Sequence, residues 1–416
     1  MSAVELTIDA LGAQGDGVAA HGADPVFIPF TAPGDRITAA VEGTRGTLIS
    51  VLDGGNARIL PPCPHFGPDG ENAGCGGCAV QHVAPEAYAV WKRGLVVAAL
   101  KSRGIDIEVA PLVPAHPGDR RRVIFATRRA GDSAVLGFNR AGTHEIVDIH
   151  TCLIATPRIV SALPLFRALA AQAAVAPKAM QMAVLDTDSG FDIAFDAPFQ
   201  LKENDRLRLV ASARKAVSVA RIAFNGETLI EKQPPQLTFG RVTVTPPPGA
   251  FTQASASAEE VMAGLVTKHM KKAKRVVDLY AGCGTFSTRL AESHITHAVE
   301  GFAPALNALD RAMRKMQGLK PLTMETRDLA RRPLMGFELK AYQGLVFDPP
   351  RAGAEFQCRE IAKSSIPRVA AVSCNPATLA RDLRILIDGG YKLKSVTPID
   401  QFLWTPHVEA VALLEK

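Results

Sequence analysis

The sequence predicts a multidomain chain: a small OB-like β-barrel at the N-terminus, a central α+β domain, and a C-terminal α/β domain on a doubly wound, Rossmann-like sheet. Three observations carry that reading. Residues 4–56 alternate apolar and polar side chains between glycine-marked turns (VELTIDAL, PVFIPFTAPGD, RITAAVEG, TLISVLDGG). That is the period of short antiparallel strands, which over so short a stretch close as a barrel. Residues 63–82 (CPHFGPDGENAGCGGCAVQH) have no apolar period, so packing alone cannot order them. After Pro246-Pro247-Pro248-Gly249, strands alternate with helices, which implies a doubly wound sheet with ligand sites at the carboxyl ends of its strands. The boundaries fall at 1–57, 58–245 and 246–416.

The elements follow in order. PEAYAVWKRGLVVAALKSR (85–103) reads as a helix opened by Pro85 and closed near Gly104, expected to pack on the C-terminal domain. Strands are expected at RRVIFATRR, AVLGFNR, HEIVDIH, MAVLDTD, FDIAFDA, VARIAFNG and RVTVTPP, one pair joined as a hairpin at Asp188-Ser189-Gly190. Ser257 and Glu260 make a capping box for a helix that ends near KHMKKAKR. Then come VVDLY, a glycine turn, a helix from Thr285, HAVEG, a helix over 303–316, GLVFD, a helix over 355–364, RVAAVS, a helix from Pro376 and the strand VEAVALLE.

Composition excludes several classes. With 416 residues, 47% hydrophobic and 21% charged, the chain can bury large cores and is not intrinsically disordered. No apolar run reaches the roughly 18 residues of a transmembrane helix, and the start lacks a basic and apolar leader, so a cytoplasmic protein with no membrane association is expected. A monomer is expected as well. Lys plus Arg at 47 against Asp plus Glu at 41 gives +6, a bias that suits a polyanion without identifying one. Seven cysteines in such a setting are reduced thiols, which directs attention to metal binding or catalysis.

Three strand ends carry the chemistry. VVDLYAGCGTFSTRL is a buried strand, a glycine turn and a helix start. Gly282 and Gly284 are followed by Ser287 where a dinucleotide fingerprint needs glycine, and Asp278 suits a cationic ligand better than a pyrophosphate. Glu300 lies 22 residues beyond Asp278 at the next strand end, where a carboxylate accepts hydrogen bonds from ribose hydroxyls. S-adenosylmethionine has that ribose and a positive sulfonium; a ligand-free glycine turn is the ordinary alternative. In GLVFDPPRAG, Asp348 ends a buried strand and Arg351 is free to reach an anion. In RVAAVSCNPATLARDL, Asn375 is a good N-cap and Pro376 a good first helical residue, so Cys374 stands beside a helix N-terminus, a position that favours thiolate over a buried structural cysteine. Cys283 and Cys358 read as small core residues. Near the C-terminus, His407 or Glu409 offers a base.

DLYAGCGTFS, FDPPRAG, SCNPATLARD and HVEAV, in this order, resemble the RNA uracil-5-methyltransferase family, over essentially the whole chain. The resemblance implies a class I methyltransferase domain at the C-terminus. It also likens the N-terminal module to the TRAM domain of the family's 23S ribosomal RNA members, and CPHF…CGGCAVQH with GTHEIVDIHTC to its iron-sulfur segment. The implied reaction is methylation of uridine carbon 5 in RNA from S-adenosylmethionine. Cys374 adds to carbon 6 and Glu409 removes the carbon 5 proton. By the same carry-over Gln253, Tyr280, Thr285, Glu300, Asp328 and Asp348 contact S-adenosylmethionine or organise its pocket.

Cys63, Cys75, Cys78 and Cys152 match the ligands of a [4Fe-4S] cluster in that segment. The eleven residues between Cys63 and Cys75 depart from the short spacing of the pattern, which an inserted loop near GPDGENAG would absorb. A zinc site on the same thiolates, or unligated thiols, are the alternatives. Thr285 and Ser255 stand where many relatives carry asparagine. The basic elements Arg120–Arg122, Arg128-Arg129 and Lys268–Arg275 are candidates for tracking phosphates. Ribosomal RNA is expected over transfer RNA on the strength of the TRAM-like module. Two rivals remain, a cytosine-5 methyltransferase, which lacks its expected Pro-Cys or Thr-Cys setting here, and a catalytically silent RNA-binding or redox-sensing protein.

Overall fold

The computed structural model describes residues 3–68, 73–176 and 178–416; residues 69–72 of the expected inserted loop lie outside them. The first sheet has six strands, in the order Ala3–Thr7, Arg36–Glu42, Arg45–Asp53, Asp24–Ile28, Gly17–His21, Ala10–Leu11. Its period-2 pattern turns Leu6, Val26, Ile28, Ile37 and Ala39 into a core of its own.

The segment from Cys63 to His82 has no helix or paired strand among the described residues and is tied instead by single backbone bonds. Cys75 N donates to His65 O (2.9 Å), Gly76 N to Asn139 O (3.0 Å) and Cys63 N to Gln81 Oε1 (3.2 Å). Only glycine fits at position 76, where a Cβ would meet the Asn139 oxygen at 2.6 Å.

The helix Pro85–Lys101 begins at its proline and is followed by Gly104 in the left-handed region (φ 64°). Its Val96 and Leu100 join Leu379, Leu383 and Leu386 of the helix Pro376–Asp388 in the largest core of the C-terminal sheet. Val109 and Val113 then bridge to Val396 and Ile399. Residues 85–113 therefore pack as part of the C-terminal body.

That helix also buries a charge. Lys92 is fully enclosed, its Nζ bonded to Asp400 Oδ1 and to Phe402 O (2.8 Å), while Tyr88 Oη donates to Asp400 Oδ2 (2.6 Å). Removing one partner of a buried pair leaves the other charge uncompensated, so Lys92→Met is expected to lower stability by about 3–5 kcal/mol. A urea midpoint equal to that of the unaltered chain would refute this.

The central unit is a seven-stranded sheet, in the order Glu227–Glu231, Val219–Phe224, Gly190–Asp196, Met180–Thr187, Arg122–Ala130, Ser133–Asn139, Ile146–Asp148. The hairpin at Asp188-Ser189 closes on the Thr187–Gly190 pair. The helices Leu163–Ala173 and Glu203–Lys215 cover this sheet through Phe166, Leu169, Leu209 and Ala213. The hairpin Leu237–Phe239 and Val242–Val244 packs on Ala305, Ala308 and Ala312 of the helix Ala303–Met313, ahead of the boundary drawn at 245.

The C-terminal sheet has seven strands in the order Leu322–Thr326, Ile295–Glu300, Arg275–Leu279, Gly344–Phe347, Arg368–Ser373, Glu409–Glu415, Lys392–Ile399. All pairs are parallel except those of the last strand, Glu409–Glu415, which inserts antiparallel between two others. Because that strand runs backwards, its first residue meets the carboxyl ends of its neighbours. Glu409 thus sits beside the ends that carry Asp348 and Cys374.

Two local expectations change. The N-cap of the helix Ala256–Met270 is Ser255, whose Oγ accepts from Ala258 N (3.1 Å), rather than Ser257, whose Oγ instead donates to Asp119. The helix after the glycine turn is a single turn, Ser287–Leu290, and does not begin at Thr285, because Gly282 and Gly284 hold the preceding loop at φ 54° and 96°.

Candidate active site

At the end of Arg275–Leu279 the chain turns through Tyr280 at φ 62°, a conformation a bulky side chain adopts only when its surroundings enforce it. A Cβ on Gly284 would lie 2.5 Å from Leu309 Cδ1, so the turn presses directly on the helix behind it. Glu300 stitches this loop to the next one, accepting from Gly282 N (3.0 Å) and Phe302 N (2.7 Å). Asp278 is wholly buried; its Oδ2 accepts from Ser287 Oγ, and its Oδ1 has no partner among the described residues.

Asp348 accepts from Gln253 Nε2 at 2.9 Å. Glu409 accepts from Gln401 Nε2 at 3.0 Å through Oε1, and its buried Oε2 has no partner among the described residues. Burial, together with the neighbouring negative charges, pushes these carboxyls up: Asp278 to about 7, Asp348 to about 7 and Glu409 to about 8. For Asp348 burial dominates, and for Glu409 the charge of Asp348 adds to it. Carboxyls so placed are short of a positive charge.

Raised carboxyls carry a sign for stability. Between about pH 4, where ordinary carboxyls titrate, and about pH 8, the folded chain holds protons that the unfolded chain releases. Stability from these groups is full below that window and lost as pH rises through it. Calorimetry should show the melting temperature of the unliganded protein falling from pH 5.5 to 8.5, and falling less in Asp278→Asn; an equal slope in that variant would exclude Asp278 as a contributor.

Cys374 ends Arg368–Ser373, and Asn375 caps the following helix, its Oδ1 accepting from Ala377 N at 3.1 Å. Asn375 Nδ2 and Thr378 Oγ1 both donate to Arg351 O, which ties the Cys374 turn to the Pro349–Arg351 turn. The expectation that this position favours thiolate is corrected. Burial first, then Glu409 and Asp348, push the thiol up to about 11, with Arg351 alone among the nearby charges opposing them.

Cys374, Arg351 and His407 open onto a cleft of about 820 Å³ whose far wall is Ala13 and Gln14 of the first unit and Leu95, Ala98 and Ala99 of the helix Pro85–Lys101. Burial lowers the His407 pKa, and the cations Arg351, Lys92 and Arg120 lower it further.

The fold therefore brings Gln253, Asp278, Glu300, Asp348, Cys374 and Glu409 to one end of the sheet, with Tyr280 and Thr285 in the adjoining loop. Asp328 follows the neighbouring strand Leu322–Thr326 and packs its backbone against Gly301, where a Cβ would lie 3.7 Å from Asp328 Cα; its exposed side chain accepts from Ala330 N (3.0 Å). Of the basic elements, Arg121 is committed to Glu259 (2.6 Å) and Gln253 O (3.2 Å). Lys268–Arg275 leads into the amino end of its strand, the far end of the sheet from the cleft. Gln401, absent from the sequence reading, lies between two of the expected site residues. The polar pair Asp400-Gln401 after the unread strand Lys392–Ile399 is the only local sign of it.

Cys63, Cys75, Cys78 and Cys152 line a single small cavity. Burial pushes Cys75 to about 11, Cys78 to about 12 and Cys152 upward, and the thiols raise one another. No three His, Cys, Asp or Glu side chains among the described residues converge closely enough for one metal ion. Cys283 and Cys358 are buried in the core.

Residues 208–416 match the family model for tRNA (uracil-5-)-methyltransferase. An uncharacterized RNA methyltransferase of Rhizobium meliloti is 52% identical over the full length of both chains, and another of Caulobacter vibrioides is 41% identical over 99% of this chain and 100% of its own. The 23S rRNA (uracil(1939)-C(5))-methyltransferase of Shewanella woodyi is 29% identical over 99% of this chain and 96% of its own. Among solved structures, Pyrococcus abyssi tRNA (uracil-54, C5)-methyltransferase in complex with S-adenosyl-L-homocysteine superposes with a TM-score of 0.76 at 20% identity over 99% of both chains, which establishes a shared fold. With the family model spanning the catalytic half and a full-length relative at 52% identity, the chain belongs to the RNA uracil-5-methyltransferase family.

Proposed function

We propose that this protein transfers the methyl group of S-adenosylmethionine to carbon 5 of a uridine in 23S ribosomal RNA, with Cys374 as nucleophile and Glu409 as base. The observation that carries the reading is the placement of Asp348, Cys374 and Glu409 at the ends of three neighbouring strands on one end of the C-terminal sheet. When bound, S-adenosylmethionine supplies an electrophilic methyl on a positive sulfonium.

The residues fit that ligand by charge: Asp278 Oδ1 is buried without a partner among the described residues, and burial raises Asp348 and Glu409, which a bound cation would oppose. Gln253, Tyr280, Thr285, Glu300 and Asp328 line or edge the same strand ends and would hold its ribose and base. A cation bound beside Asp348 would offset that carboxylate's effect on Cys374 and favour its thiolate. The thiolate then adds to uracil carbon 6, and the electrons of the carbon 5–carbon 6 bond pass to oxygen 4. As the carbon 4–oxygen 4 double bond re-forms, carbon 5 takes the methyl, and the methyl–sulfur bond breaks to leave the neutral thioether of S-adenosylhomocysteine. Glu409 Oε2 removes the carbon 5 proton, the double bond re-forms, and the bond from carbon 6 to Cys374 Sγ breaks.

The same reading gives Cys63, Cys75, Cys78 and Cys152 to a [4Fe-4S] cluster. Four thiols around one cavity fit it, and a cubane holds its thiolates further apart than a single zinc ion, whose sulfurs all lie within about 2.3 Å of the metal. Anaerobically purified protein should contain iron and absorb brown, and Cys78→Ser should lose most of that iron; zinc without iron would overturn the assignment.

Likeness to the Shewanella woodyi enzyme supports ribosomal RNA, while the family description and the superposed structure name transfer RNA. Radiolabelled methyl offered with unmodified 23S RNA and with transfer RNA in parallel, followed by nucleoside analysis, decides the matter. Label in 5-methyluridine of the ribosomal pool is expected. Label in transfer RNA alone would change the substrate, and none in either would remove the activity.

A further inference from the structure

We propose that Gln401 is the positioning residue for the base of this reaction: its carboxamide pins Glu409 Oε1 and leaves Oε2 as the oxygen that receives the carbon 5 proton. The inference rests on the role proposed for Glu409. Gln401 is buried, and all four of its hydrogen-bonding capacities are used. Oε1 accepts from Ala254 N (2.7 Å) and Ser255 N (3.3 Å). Nε2 donates to Gln253 Oε1 (2.9 Å) and Glu409 Oε1 (3.0 Å).

The orientation of the amide is not arbitrary. Backbone N–H groups cannot accept, so the carbonyl must face residues 254 and 255, and the NH₂ must then face the two acceptors. Gln253 is oriented in turn, because its Oε1 is taken by Gln401 and its Nε2 donates to Asp348 Oδ2. Two amides thus join two carboxylates, Asp348 and Glu409, in a chain whose donors all point outward to oxygen. Neither amide can relay a proton, so the chain transmits orientation only. Its effect is to hold the base and the carboxamide beside Asp348 in one rigid frame, while Glu409 Oε2, buried and without a partner among the described residues, is the oxygen left to act. Around Glu409 the charged neighbours are Asp348, which disfavours its ionised form, and Lys92, which favours it; the Gln401 bond favours it too.

Two variants separate positioning from mere support of the backbone. Gln401→Glu keeps an oxygen for Ala254 N and Ser255 N but loses the amide donor, whereas Gln401→Met loses both. The substrates are one RNA fragment carrying uridine and the same fragment carrying 5-fluorouridine, at saturating S-adenosylmethionine. Fluorine cannot leave as a cation, so the 5-fluorouridine adduct on Cys374 forms without help from the base.

With Gln401→Glu, that adduct should form within about twofold of the unaltered rate. Turnover on uridine RNA should fall about 100-fold, as misplacing a catalytic group by an ångström does. Methylated covalent protein–RNA adduct should accumulate by mass spectrometry, and the acid limb of kcat should move to higher pH. A Gln401→Glu enzyme with normal kcat and an unmoved pH profile overturns the proposal, as does an equal loss of adduct formation and turnover in both variants. Glu409→Gln is run alongside: if it stalls while Gln401→Glu does not, only the role of Gln401 falls, and if Glu409→Gln turns over normally, the base assignment itself is wrong and takes this proposal with it.

Discussion

Cys374→Ala is expected to abolish 5-methyluridine formation, with a fall of about 10⁴-fold or more, because removing the nucleophile of a covalent mechanism leaves only binding and orientation. Binding of S-adenosylhomocysteine, read by calorimetry, should change little, since Cys374 takes no part in the bonds among Gln253, Asp348 and Gln401. Retained methyl transfer would remove Cys374 from the mechanism. In the unaltered enzyme the thiol stands at about 11, so thiol-directed alkylation without ligand should be slow and should accelerate on addition of S-adenosylmethionine. Equal rates with and without it would show that the carboxylates do not govern the thiol.

Glu409→Gln should slow turnover about 10²- to 10⁴-fold, the range of a general base, while leaving the preceding steps in place. A methylated RNA–protein adduct at Cys374 should therefore accumulate in denaturing gels. The pH profile of the unaltered enzyme follows from the same residue. The proposed base Glu409 acts only when ionised, and burial together with Asp348 raises its pKa, so kcat should rise with pH above the range in which ordinary carboxyls titrate. A profile flat from pH 6 to 9 would mean that Glu409 does not limit turnover.

The site was legible where its chemistry is local in sequence. Asp348 and Cys374 each directly follow a strand of four or more residues, Asp278 lies near the end of another, and each precedes a glycine or proline turn, so strand, turn and reactive group appear together in one short window. The protonation state of Cys374 was not legible that way. It depends on Glu409 and Asp348, which approach only when the last strand folds back antiparallel. Gln401 is the extreme case, since its partners are residues 253, 254, 255 and 409 and its own window shows only a polar residue after a strand. In the central unit the helix LPLFRALAAQA escaped notice because its nearly unbroken apolar run has little helical contrast, both its neighbouring helix and the sheet being available to cover it. The Ser255 cap was misplaced by two residues because Ser257, and not Ser255, has a glutamate three residues on, Glu260.

The helix Pro85–Lys101 shares its core with strands and a helix near the other end of the chain, and Tyr88 meets Asp400 across 312 residues. During synthesis at about 5–20 residues per second, that helix waits roughly 15–60 s for its partners, with Val96 and Leu100 uncovered throughout. The intervening central sheet must fold as an insertion inside an unfinished body. Nascent chains of this protein are thus a natural client for holding chaperones, and yield should depend on translation speed between residues 101 and 400 more than on the stability of the finished fold.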